Sequence, residues 1–281
     1  MIAVLRKYEI WCFLGLIIVV NGIFVSGIAL EILPKGLYQY GRFALLAGVL
    51  GGIVILARGW TGIIDLLRPM LEWHRPLRWY LFAILWNPVI CMAILAVIYA
   101  VNRDAMPDFS PNFTIITRPN VIKTVLISSF VGEIVWISYA IRRLSGQFTP
   151  FVSALIVGVV WTGWWMPMAI YNFGIIPNLP LGGLLINQIG VAAMCTFVYM
   201  HTKSGFLVLC LQVMFNTTIL VLPMTPNVGG VTTYWIFAIA YFIAAALLFV
   251  TFGPKPLFVP TTASDASLLP DRPRSTPYLK N

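Results

Sequence analysis

Three groups of residues in this chain have the types and spacing to do chemistry, and each lies inside an apolar run. The first is Glu133, the one carboxylate between Lys123 and Arg142, near the middle of Ser129-Phe130-Val131-Gly132-Glu133-Ile134-Val135-Trp136-Ile137-Ser138-Tyr139. A carboxylate is a general base for water. In hydrocarbon an ionised side chain costs about 2.5–3.5 kcal/mol on insertion scales for Asp, Lys or Arg, so it is rarely left without a use or a partner. The second group is Trp161-Thr162-Gly163-Trp164-Trp165-Met166-Pro167, with three Trp in five residues. Each ring offers a large apolar area and one N–H donor. The third is Gln212-Val213-Met214-Phe215-Asn216, whose two amides stand one helical turn apart on one face. Such amides donate to a developing oxyanion or bond one helix to another. Helix–helix packing accounts for each group taken singly.

The elements that position these groups are membrane spans. Of 281 residues, 60% are hydrophobic and only 10% charged, against roughly 25% charged in soluble domains. A bilayer core takes about 20 apolar residues as helix. The sequence has candidate spans at roughly 10–30, 40–57, 79–101, 121–141, 151–173, 181–201, 205–223 and 232–252. The expected fold is all-α, a polytopic membrane helix bundle of about eight transmembrane helices plus one interfacial amphipathic segment. The second span is short, and Arg42 near its start is expected to snorkel to the interface. Met1 to Lys7 precede an apolar run that continues to Leu30, too long for a signal-peptide core, so a retained first helix is expected.

Charge placement agrees with eight spans. The chain carries 18 Lys and Arg against 9 Asp and Glu, an excess that in a membrane protein means topology and anionic lipid. No nucleic-acid-binding pattern is visible. Arg6 and Lys7, then Arg58, Arg68, Arg75 and Arg78, then Arg142 and Arg143, Lys203 and Lys255 all fall on one side, while 174–180 and 224–231 are uncharged. The positive-inside rule makes that side, with both termini, cytoplasmic. The expected location is the bacterial inner (plasma) membrane. Residues 59–78 read as an interfacial segment: Ile63, Leu66, Leu67, Met70, Leu71 and Trp73 form an apolar stripe, and Pro69 should bend it. From 253 to 281 the composition turns to Pro, Ser, Thr and charge, as in a disordered cytoplasmic tail. Cys12, Cys91, Cys195 and Cys210 all sit in apolar runs without paired spacing and read as core residues.

Taken together and in order, the three groups resemble the CPBP family, the membrane-embedded CAAX-protease and bacteriocin-processing proteins that include the type II prenyl-protein endoprotease. Glu133-Ile134-x-Trp136-x-x-Tyr139 with Arg143-Leu144 looks like the family's Glu-Glu-x-x-x-Arg helix. Trp161-Thr-Gly-Trp164-Trp165-Met-Pro167 is similar to W-x-x-W-H-x-P, and Gln212-Val-Met-Phe-Asn216 to His-x-x-x-Asn. The resemblance covers about residues 60–220 and implies a CPBP-like transmembrane domain over 1–252. In the family, the first Glu of the pair and the second-motif His act on the attacking water. Those positions are Gly132 and Trp165 here, the motif Arg is Ile137, and the third-motif His is Gln212; only Asn216 is kept. His74 and His201 fall at expected cytoplasmic ends and cannot serve.

The departures remove the water-activating half of the chemistry. A Trp has no usable lone pair, and Glu133 is one residue from the family base, about 100° around a helix of 3.6 residues per turn. Zinc needs several His, Cys or carboxylate ligands converging, so no metal is expected. The expectation is a degenerate, non-catalytic member. Its binding cavity comprises Glu133, Trp161, Trp164, Trp165, Gln212 and Asn216, with Glu133 hydrogen-bonded to the Gln212/Asn216 pair. No cofactor is expected beyond a bound lipid, isoprenoid or pigment. The partners are membrane lipids and a transmembrane helix, another membrane protein, or a hydrophobic or lipidated peptide, and an accessory or assembly role in a membrane complex is a related form. Two readings stay open beside it: an intramembrane endopeptidase using Glu133 as lone base, and a transporter.

Overall fold

Proline, glycine and capping residues cut the apolar runs into eight helices in the computed structural model, which describes residues 2–173 and 176–254. They are α1 (Ile2–Ala29), α2 (Tyr38–Leu67), α3 (Leu77–Val101), α4 (Pro119–Leu144), α5 (Pro150–Ile170), α6 (Leu181–Thr202), α7 (Gly205–Val221) and α8 (Pro226–Phe252). No strand occurs among the described residues. The boundaries follow local chemistry. Thr149 accepts from the Val152 N–H with Pro150 at the first helical position of α5, and the Ser204 hydroxyl accepts from the Leu207 N–H at the start of α7.

Seven of these helices are long and apolar enough to cross a membrane; α7, with 17 residues, is the shorter one. At 1.5 Å per residue it spans about 25 Å, just under the ~30 Å hydrocarbon core. The outward faces are apolar, with Ile23, Leu56, Val89, Val97, Leu247 and Val250 exposed. A soluble protein does not leave so much apolar surface uncovered. The chain is an all-α, multi-pass integral membrane protein.

α2 runs past its expected end at 57. Gly59 interrupts it with φ of +68°, a conformation open to glycine, and the helix then continues to Leu67 before a 3₁₀ turn at Arg68–Leu71 carrying Pro69. Beyond the break Trp60, Ile64, Leu67 and Leu71 form the exposed apolar stripe, whereas Leu66 turns inward. The expected tail from 255 onward lies outside the described residues.

α6 is the core of the bundle. Residues 190–199 are all buried, because α6 packs along α5 on one side and α8 on the other, with contacts to α3 and α7. The α5–α6 approach depends on Gly158: a Cβ there would lie 2.5 Å from Ile189 Cα and 2.9 Å from Ile189 N. Small residues at such crossings let backbones approach closely. On another face, Asn87 of α3 donates to the Leu211 carbonyl at 3.1 Å and accepts from the Tyr241 hydroxyl at 2.7 Å, tying α3, α7 and α8.

One end of the bundle is basic and ion-paired. Arg58 bonds Glu9 at 2.9 Å and Asp65 at 3.3 Å, Arg142 bonds Asp65 at 2.7 Å, and Arg143 reaches Glu9 at 4.0 Å. These pairs link the start of α1, the end of α2 and the end of α4. The opposite end is formed by the loops after α1, α3, α5 and α7 and lacks a comparable cluster among the described residues.

Replacing Gly158 by Ala should destabilise the protein by about 1–3 kcal/mol, the usual cost of overpacking, because its obstacle is backbone. Gly52→Ala, where an added Cβ meets nothing within 4 Å, should be neutral or mildly stabilising. Denaturation followed by tryptophan fluorescence in detergent measures both.

Candidate functional site

The second halves of α5 and α7 and the first halves of α2, α4, α6 and α8 enclose a cavity of about 630 Å³. Its wall runs from buried residues in mid-bundle, Gly132, Trp136 and Gln212, to the exposed Gln39, Pro177 and Asn227. It therefore reaches the surface at the end opposite the ion-paired one.

Of the residues singled out in the sequence, Trp161, Trp164, Trp165, Gln212 and Asn216 all lie on this wall. The tryptophans form one aromatic surface with Trp136: the Trp136 and Trp161 rings stack at 5.6 Å, and Trp164 meets Trp165 edge-on at 5.4 Å. Asn21 of α1 braces this helix by donating to the Trp164 carbonyl at 2.7 Å. Asn216 donates to the Ser129 hydroxyl at 3.0 Å, joining α7 to α4. Gln212 sits directly against Gly132, where a Cβ would lie 2.8 Å from Gln212 Oε1. Apolar side chains make up much of the remaining wall, including Leu46, Val125, Val191, Phe215, Ile219 and Phe237.

Glu133 is a correction. It was expected on the cavity wall and bonded to Gln212 and Asn216, but it is not on the wall and neither amide is its partner. Instead Oε1 accepts a 2.6 Å hydrogen bond from the Ser138 hydroxyl, and the carboxyl packs against the start of α7, where a Cβ on Gly205 would lie 2.6 Å from it. The reason is a π-helical segment, Glu133–Ile141, within α4. With i→i+5 hydrogen bonding, residues five apart are stacked one turn above another, so Ser138 comes under Glu133. Regular α geometry would put them on different faces. The first N–H groups of α7 add a locally positive surrounding for the carboxyl.

Arg42 is the second correction. Rather than reaching the interface, it is 3% exposed and lines the cavity. Its guanidinium lies over the Trp164 ring at 4.1 Å and the Trp165 ring at 4.4 Å, and Nη1 donates to the Tyr38 hydroxyl at 2.7 Å and also meets the Met168 sulfur. The tryptophans hold it inward. No carboxylate faces it among the described residues. Cation–π contacts contribute about 0.5–2 kcal/mol each, against several kcal/mol for desolvating an ion, so the charge is only partly compensated. Asn187 and Gln188, in the first half of α6, also line the cavity. Sequence inspection passed over them; two adjacent amides inside an apolar run were the available signal.

The wall carries no Asp, Glu, His or Cys. It offers hydrogen-bond donors and aromatic surface, without the carboxylate, imidazole or thiol groups that most often take a proton from water. Among the described residues no three His, Cys, Asp or Glu side chains converge as a metal site.

Glu133→Gln should keep the expression yield and lose less than about 1 kcal/mol, because the amide oxygen still accepts from Ser138, whereas Ser138→Ala should cost about 1–3 kcal/mol by stripping a buried acceptor. Thermal unfolding in detergent measures both, and the opposite ranking would mean that the carboxylate charge itself holds this contact. No protein-family model matches the chain, and no curated protein matches its sequence significantly.

Proposed function

We propose that this protein is a non-catalytic, CPBP-like integral membrane protein whose cavity holds an apolar ligand or the lipid chain of a lipidated partner. The observation that carries the reading is a cavity of about 630 Å³ walled by Trp136, Trp161, Trp164 and Trp165, with no Asp, Glu, His or Cys on it. Sites for small ligands fall at about 300–1,000 Å³, mostly apolar with a few placed polar groups. A whole transmembrane helix, about 10 Å across and 30 Å long, displaces roughly 2,400 Å³ and does not fit. The occupant is thus a lipid, isoprenoid or pigment-like molecule, or the lipid modification of a peptide. An accessory or assembly role uses the same cavity when that lipid belongs to another membrane protein.

The CPBP resemblance gains support from geometry. Gly132 and Gln212, at the positions of the family's first Glu and third-motif His, are in contact, and Trp165 and Asn216 share the same wall. Where the family has its hydrolytic residues, this chain has a glycine, a tryptophan and an amide. On this reading the ion-paired basic end is cytoplasmic by the positive-inside rule, with both termini, in a bacterial inner membrane. The cavity then opens toward the outer face.

The protein purified gently from its native membrane should carry a stoichiometric apolar molecule or lipidated protein, identified by mass spectrometry and absorbance. Trp164→Ala should reduce that occupancy, and Glu133→Ala should leave it intact in whatever fraction folds. Cleavage of a prenylated peptide by wild type, abolished in Glu133→Ala, would overturn the reading in favour of an endopeptidase.

A further inference from the structure

Five hydrogen-bond donors on this cavity wall have no partner: Nε and Nη2 of Arg42, the indole N–H groups of Trp164 and Trp165, and Nδ2 of Asn187. No unpartnered acceptor belongs to the wall among the described residues. The Arg and Trp groups are donors in every protonation and rotamer state that matters here. A buried donor without an acceptor is costly, and a buried guanidinium without an anion more so. The surplus is one-sided, so the complement is an acceptor-rich, negatively charged group.

We infer that the cavity binds a single-chain amphiphile with an anionic oxygen head, a carboxylate or phosphate, whose head is held by Arg42 with Trp164 and Trp165. This deepens the proposed binding role and rests on it. Arg42 has two free N–H-bearing nitrogens, the fork that carboxylate and phosphate oxygens accept in pairs. It stands one turn inside the start of α2, beside Tyr38 and Gln39 at the cavity's surface end. The head thus lies toward the cavity's surface end and the chain runs inward along Leu46, Val125, Val191 and Phe215. At about 30 Å³ per heavy atom, the liquid-water figure, 630 Å³ holds roughly 20 atoms. One chain fits; a two-chain phospholipid does not.

Native mass spectrometry of the full chain in neutral detergent, titrated with oleate, oleyl phosphate and oleyl alcohol, tests this. The two anions separate the carboxylate source from the phosphate source. At least one should bind about ten-fold or more tightly than the alcohol, as expected for a charge-assisted pair. Arg42→Gln should bring the three together, with Arg42→Lys retaining part of the preference. Equal affinity of the anions and the alcohol for wild type would overturn the anionic-head assignment while leaving an apolar binding cavity. Failure of all three to bind would remove the cavity reading with it. The wild-type comparison decides the matter even if the Arg42 variants do not fold.

Discussion

The close contact of α5 and α6 at Gly158 is the constraint on which this architecture depends. With lipid outside, apolar burial does not drive helices together, so a bundle is held by backbone proximity and internal polar bonds. Gly158 lets α5 lie against Ile189 of α6, and α6 in turn is sheathed by α8. One turn further along α5 begins the run of Trp161, Trp164 and Trp165, whose carbonyl at Trp164 is caught by Asn21 of α1. The cavity exists because this aromatic half of α5 is held off the first halves of α2, α4 and α6, where large rings cannot interdigitate as closely as a glycine allows.

Two ionisable side chains inside the membrane have met the cost of burial in different ways. Glu133 is folded into the helix packing: the π segment supplies a hydroxyl from its own helix and the start of α7 supplies backbone dipoles. It thus lies between α4 and α7, away from the cavity. Arg42 has aromatic faces and one tyrosine hydroxyl but no counter-charge. Each keeps buried polar atoms without a partner, Oε2 of Glu133 and Nε and Nη2 of Arg42, but only Arg42 stands on the cavity wall. That contrast moves the centre of interest from the residue that looks catalytic in the sequence to one that looks incidental.

The resemblance to membrane-embedded proteases and the absence of a base on the cavity wall are compatible. A binding cavity needs room, apolar surface and orienting donors, none of which depends on residues that activate water. Function belongs to such sites and not to the fold that carries them. Gly132 and Gln212 are in contact at one end of this enclosure, and on the proposed reading the same space holds a molecule without cutting it.

The sequence by itself determined the membrane class and the helix count, because apolar length acts locally, as do the caps at Thr149-Pro150 and Ser204. It also marked the tryptophan run and the Gln212–Asn216 pair, whose spacing puts each on one helical face. The partner of Glu133 was not legible, since pairing at i+5 requires a π segment, and the α-helical period assigns Ser138 to another side. The place of Arg42 was not legible for a different reason: near the start of a short span a cation is expected to snorkel to the interface, while the tryptophans it meets lie more than 120 residues later in the chain. Only side-chain packing across the space between α2 and α5 brings Arg42 over Trp164 and Trp165. That packing alone made a lone cation part of a cavity wall, because long-range contact, unlike helical period, leaves no trace in local spacing.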